Sequence, residues 1–176
     1  MTSRISNFVI ALLASVLVSV NVFAQTSDSQ MQALVGQSLS KLQPPTAENF
    51  SQCIAQLQRV EAMYPDSILP KYQIALQSLI FAVQFPGDEQ AGNMLQQAEK
   101  QIANLQGMSG VDASDLHTLQ GFYYTDLIVR NPALGATYYR DALDHFEAAL
   151  RLNPDNHLAK SLQEQFLAGM RAATGE

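Results

Sequence analysis

Between Ser29 and Ala172 apolar residues recur at the spacing of one helix face, and proline, glycine and small polar residues interrupt them at short intervals. These interruptions predict seven helices. The first spans about 29–42, with Met31, Leu34, Val35, Ser38, Leu39 and Leu42 on one face, and ends at Gln43-Pro44-Pro45. Thr46 is placed to cap a second over 47–63, where Glu48 sits in the first turn and suits the helix dipole. Pro65-Asp66-Ser67 closes that helix and caps a third over 68–85, in whose first turn Pro70 forfeits no hydrogen bond. Pro86-Gly87-Asp88 caps a fourth over 89–106. A loop marked by Gly107, Gly110 and Ser114 leads to a fifth over 115–129, and Asn131 to Gly135 reads as another loop before a sixth over 138–152. Asn153-Pro154-Asp155 ends the sixth, and a seventh covers 156–172. No window alternates as a strand does, and breaks this short imply antiparallel neighbours. The predicted fold is all-α.

The third segment differs from the others. Gln73, Gln77 and Gln84 share one narrow face, while Ile74, Leu76, Leu79, Phe81, Ala82, Val83 and Phe85 cover nearly everything else. A helix so apolar is packed on most sides and lies centrally in its array. Ile80 falls inside the glutamine stripe and is predicted to be an exposed apolar contact.

Residues 1–24 read as a secretory signal: Arg4 supplies the positive end, 8–20 is apolar, and Val22-Phe23-Ala24 precedes a polar stretch beginning at Gln25. The apolar run is shorter than the about 20 residues a spanning helix needs. Cleavage is expected, with an uncleaved anchor as the alternative, and no membrane insertion is expected of residues 25–176. Export to a periplasm, or outside the cell, follows. Arg4 is the only charge in that segment, so the remainder is more acidic still than the whole chain's formal −6. Nucleic acid and anionic lipid both need a basic patch, so neither is an expected partner. Cys53 is the single cysteine, and the fold therefore stands on packing and not on internal disulfides; the residue is expected to be small and buried.

Three even-numbered helices share one spacing. Cys53-x3-Leu57-x2-Val60-x4-Pro65 matches Ala142-x3-Phe146-x2-Ala149-x4-Pro154, and Ala91-x3-Leu95-x2-Ala98 repeats the first part, with Ala103 where the proline would fall. A small residue admits the paired helix closely and a large one fills the gap beside it. Here the chain resembles the tetratricopeptide repeat family, whose second-helix signature is best matched by Ala142, Phe146, Ala149 and Pro154. Its first-helix pair of a small and a bulky residue is echoed by Gly36/Leu39, Ala75/Ser78 and Gly121/Tyr124. The resemblance implies three hairpins (29–63, 68–106 and 115–152) and a closing helix (156–172), stacked as a short superhelix. Two departures stand out. The small residues lie 38 and 51 positions apart, against a family period of about 34. Lys71 and His117 occupy places where the family has an aromatic.

The catalytic and cofactor patterns sought, a phosphate-cradling glycine loop, a serine elbow and metal-spaced cysteines, are absent from the sequence. No cofactor or metal is implied. Asp141 and His145 stand one helical turn apart and are read as an exposed polar pair before a metal site. Asp126 and Arg130 read as a surface ion pair, and Asn49-Phe50-Ser51 fits a glycosylation pattern. Tyr123, Tyr124, Tyr138 and Tyr139 offer amphipathic area that suits either packing or binding. The expected function is a non-catalytic scaffold for a protein or peptide in the cell envelope, not an enzyme. The family's groove-lining face, carried onto this sequence, selects Tyr72, Leu76, Leu79 and Ile80 from the third helix and Thr118, Phe122, Thr125 and Asp126 from the fifth. A small-ligand or metal carrier, or an enzyme using acidic and histidine side chains, is the alternative.

Overall fold

Where the sequence places prolines and capping residues, the chain turns. The computed structural model describes residues 26–174, so the signal reading lies outside the described residues. Seven α-helices follow one another: α1 (Thr26–Leu39), α2 (Ala47–Met63), α3 (Ile68–Gln84), α4 (Ala91–Gln106), α5 (Ala113–Arg130), α6 (Gly135–Leu152) and α7 (His157–Thr174). No strand occurs among the described residues, and none of these helices is long and apolar enough to cross a membrane. The fold is all-α, as the periodicity predicts.

The boundaries shift where local hydrogen bonding wins. The last residues of the first predicted helix, Ser40–Leu42, form a 3-10 turn. Hydroxyls there compete for main-chain carbonyls: Ser38 donates to Leu34 O and Ser40 to Gln37 O. Thr46 does cap α2, accepting from the Asn49 N–H at 3.2 Å. Ser67 holds the cap position of α3 without a side-chain cap bond. Asp112 accepts the Asp115 N–H at 3.0 Å, which starts α5 earlier than predicted and draws Ser114 out of the loop into the helix. The supposed loop at 131–135 is a 3-10 turn, Pro132–Leu134, running straight into α6. The Asn131 carboxamide supports that turn by accepting from Ala133 N.

Contacts divide the chain within α4, into a unit ending at Gln101 and a unit beginning at Ile102. In the first, α2 packs on α1 and on α3, and α1 also touches α3. Phe50, Cys53, Leu57 and Val60 of α2 meet a core that includes Ile74, Leu76, Leu79 and Phe81 of α3, and the Phe50, Phe81 and Phe85 rings lie edge to face or tilted against one another. Burial pushes the Cys53 thiol up to about 12, with Lys41 pulling the other way. Lys71, where the sequence resemblance implies an aromatic, is buried. Its ammonium donates to the Pro65 carbonyl and lies 3.6 Å from Glu61, which also accepts from Gln101 of α4 at 2.9 Å. One carboxylate thus joins three helices.

Two of the three glutamines in the α3 stripe are interior, and Gln84 is half-buried. Gln73 and Gln77 are buried, and Gln77 donates to Gln73 at 3.2 Å. Periodicity identified the shared face but not what covers it, and the expectation for Ile80 fails for the same reason: it is 1% exposed.

In the second unit α5 and α6 pack along their length, and α7 lies against both. Gly121 permits this closeness. A Cβ there would stand 2.8 Å from Cδ1 and Cε1 of Phe146, nearer than real Cβ atoms come. Gly36, by contrast, has nothing within 4 Å of such a Cβ, so that part of the first-helix match carries no close approach. Asn156 ties α7 down. Its Oδ1 accepts the Ala159 N–H, and its Nδ2 lies within hydrogen-bonding distance of Ser114, Asp115 and Thr118 on α5.

The duplicated block extends beyond its side chains. Cys53, Leu57 and Val60 are buried, as are Ala142, Phe146 and Ala149, all at an offset of 89 positions. At that same offset Tyr64 N donates to Val60 O and Asn153 N to Ala149 O. Ser67 N then donates to Tyr64 O, as Asn156 N does to Asn153 O. Helix, exit and turn all repeat.

Candidate functional site

Of the eight residues selected for a groove, six are interior. Leu76, Leu79, Thr118 and Asp126 are fully buried, Ile80 and Phe122 nearly so, and only Tyr72 and Thr125 keep partial exposure. The Thr125 hydroxyl donates to the Gly121 carbonyl, and that of Thr118 to the Ser114 carbonyl, so both are engaged by their own helix. Asp126 is not the surface partner of Arg130 that its spacing suggests. Both its carboxylate oxygens are buried without a hydrogen-bond partner, and burial holds its carboxyl well above the usual carboxylate range despite the Arg130 charge.

What the second unit offers to solvent is a line of half-buried rings across α5 and α6. Tyr138 lies 5.4 Å from Tyr124, centroid to centroid. Tyr124 stacks on His145 at 5.6 Å with the planes 13° apart. His145 meets His117 at 5.1 Å, and Tyr123 adds an edge contact to Tyr124 at 5.7 Å. Each of the five rings is partly exposed. Tyr139, on the other side of α6, packs against Phe166 and belongs with α7.

At one end of this line the Nδ1 atoms of His117 and His145 are 2.8 Å apart. One ring must carry hydrogen at Nδ1 and donate it, while the other presents a lone pair. Burial, and then the neighbouring His117, hold His145 below its ordinary value, with Asp141 and Asp144 acting in the opposite direction. The reading of Asp141 and His145 as an exposed pair is therefore corrected. Asp141 is exposed, but His145 turns inward to a histidine 28 residues away. Nothing in the sequence joins His117 to His145; only the Gly121–Phe146 approach of α5 and α6 does. Among the described residues no three His, Cys, Asp or Glu side chains gather as a ready-made metal cage.

No family model, no curated protein and no solved structure matches this chain.

Proposed function

We infer that this chain is a non-catalytic scaffold of the tetratricopeptide kind, which binds a protein or peptide in the cell envelope. The observation that carries the binding role is the row Tyr138, Tyr124, His145 and His117, four rings in contact with one another and all partly exposed. Rings needed only for packing are ordinarily sunk in the core, as Phe146 and Phe81 are here. Tyrosine at a surface gives large contact area with a polar tip and loses little rotamer freedom when bound. The family reading is supported by the block repeated at an offset of 89 and by the close approach at Gly121. Placement in the envelope rests on the signal-like residues 1–24.

Residues 25–176, immobilised and exposed to an envelope extract, test the reading. A discrete polypeptide should be retained by the parent protein and by His157→Ala, and lost with Tyr124→Ala and with Tyr138→Ala when both variants melt cooperatively. The same retained set from all four proteins would overturn it. One observation favours the carrier alternative, and that is the contact between the two histidines.

A further inference from the structure

We propose that His117 and His145 form a binding site for a borderline divalent transition ion, Zn2+ or its neighbours Ni2+ and Cu2+, with water completing the coordination. Two imidazole nitrogens from adjacent helices converge on one point, 2.8 Å apart. As a hydrogen-bonded pair they share one Nδ1 proton; once water carries that proton to Nε2 of the donating ring, both imidazoles are neutral and both Nδ1 lone pairs are free for a metal ion. A tetrahedral Zn2+ with bonds of about 2.0–2.1 Å holds two ligand nitrogens roughly 3.3 Å apart, so the rings need to separate by only about half an ångström.

Three further features suit a ligand pair. Tyr124, stacked on His145, fixes the plane of that ring, and a ligand already held in orientation loses less on binding. The two rings lie 5.1 Å apart, centroid to centroid, with their Nδ1 edges facing one another. Both histidines retain partial exposure, which leaves room for water in the remaining positions. The charged groups acting on His145 besides His117 are Asp141 and Asp144 of α6, both exposed and both attractive to a cation. Asp141 stands one turn before His145 and acts on the site through its charge, not as a ligand. Imidazole favours Zn2+, Cu2+ and Ni2+ over Mg2+ and Ca2+, which sets the class of ion.

Titration of the purified protein with ZnCl2, followed by calorimetry and by histidine ring signals in NMR, tests the site independently of any partner. One equivalent should bind. Two of the three histidine ring spin systems, those of His117 and His145, should shift together while that of His157 stays in place. His117→Ala and His145→Ala should each weaken binding by about tenfold or more, and His157→Ala should not. Asp141→Asn should weaken it less than either histidine variant. MgCl2 should produce no shift. Should a histidine variant fail to fold, the ring signals of the parent protein still decide. No binding by the folded parent, shifts confined to His157, or undiminished affinity in His117→Ala and His145→Ala would each overturn the proposal.

Discussion

A glycine and an asparagine decide how the second unit is joined. Gly121 is required because Phe146 occupies the volume its side chain would fill. Gly121→Ala forces either the ring or α6 to move, and overpacking of this kind costs about 1–3 kcal/mol. Urea unfolding should show that loss, whereas Gly36→Ala, with open space around it, should leave the midpoint unchanged or slightly raised, since alanine is the better helix former. Asn156 combines a helix cap with a link to three side chains of α5. Asn156→Ala removes the cap and leaves buried hydroxyls short of a donor, so about 1–3 kcal/mol should be lost in the same assay. A change under about 0.5 kcal/mol would mean that the α5 contacts contribute nothing. Lys71 and His117 stand where the sequence resemblance leads one to expect an aromatic side chain. Both hold side-chain polar contacts to another helix, Lys71 to Glu61 and His117 to His145.

Among the helices, α7 shows most directly how burial and solubility are divided. Ala159, Leu162 and Phe166 are buried, with Phe166 against Tyr139 and Phe146, while Lys160, Glu164 and Arg171 are exposed. Removing residues 156–176 uncovers the α6 surface that these side chains meet and deletes the Asn156 links. The truncated chain should aggregate at concentrations where the parent is monodisperse by light scattering, as arrays lacking a polar terminal helix do. Helices were legible in the sequence because their punctuation is local: Pro44-Pro45, Pro65, Pro86-Gly87 and Asn153-Pro154 all fall between helices. Helix starts were less legible, since Asp112 wins the cap of α5 through one hydrogen bond that spacing alone does not reveal. Least legible was the ring line. His117 and His145 are brought together by the α5–α6 pairing, and periodicity within either helix says nothing of the register between them. The burial of Ile80 was illegible for a related reason, because a stripe of glutamines looks solvated until Gln77 is seen bonded to Gln73.

Across the whole molecule, charge and titration set the conditions of stability. His145 has a depressed pKa in the fold, so the unfolded chain binds its proton more readily. The contribution is intact above the ordinary histidine value, about 6.5, and is lost as pH falls through the folded value. Asp126 has the opposite sign. Its raised pKa means that the fold retains a proton which the unfolded chain releases, and stability declines as pH climbs above 3.8 toward the folded value. Unfolding midpoints measured from pH 4 to pH 8 should show both slopes. His145→Gln should flatten the loss on the acid side, and Asp126→Asn the loss on the other. Parallel curves for parent and variant would contradict the placement of the group concerned. Cys53 has a consequence of another sort. Because its thiol is buried and held protonated, reaction with an aqueous thiol reagent must wait for α2 to open. The protein therefore contains a chemical clock: the labelling rate, divided by that of an unstructured thiol, gives the fraction of time the α2–α3 interior is open. In an oxidising compartment the same thiol marks the history of the chain, since a cross-linked pair can arise only from molecules that had come apart.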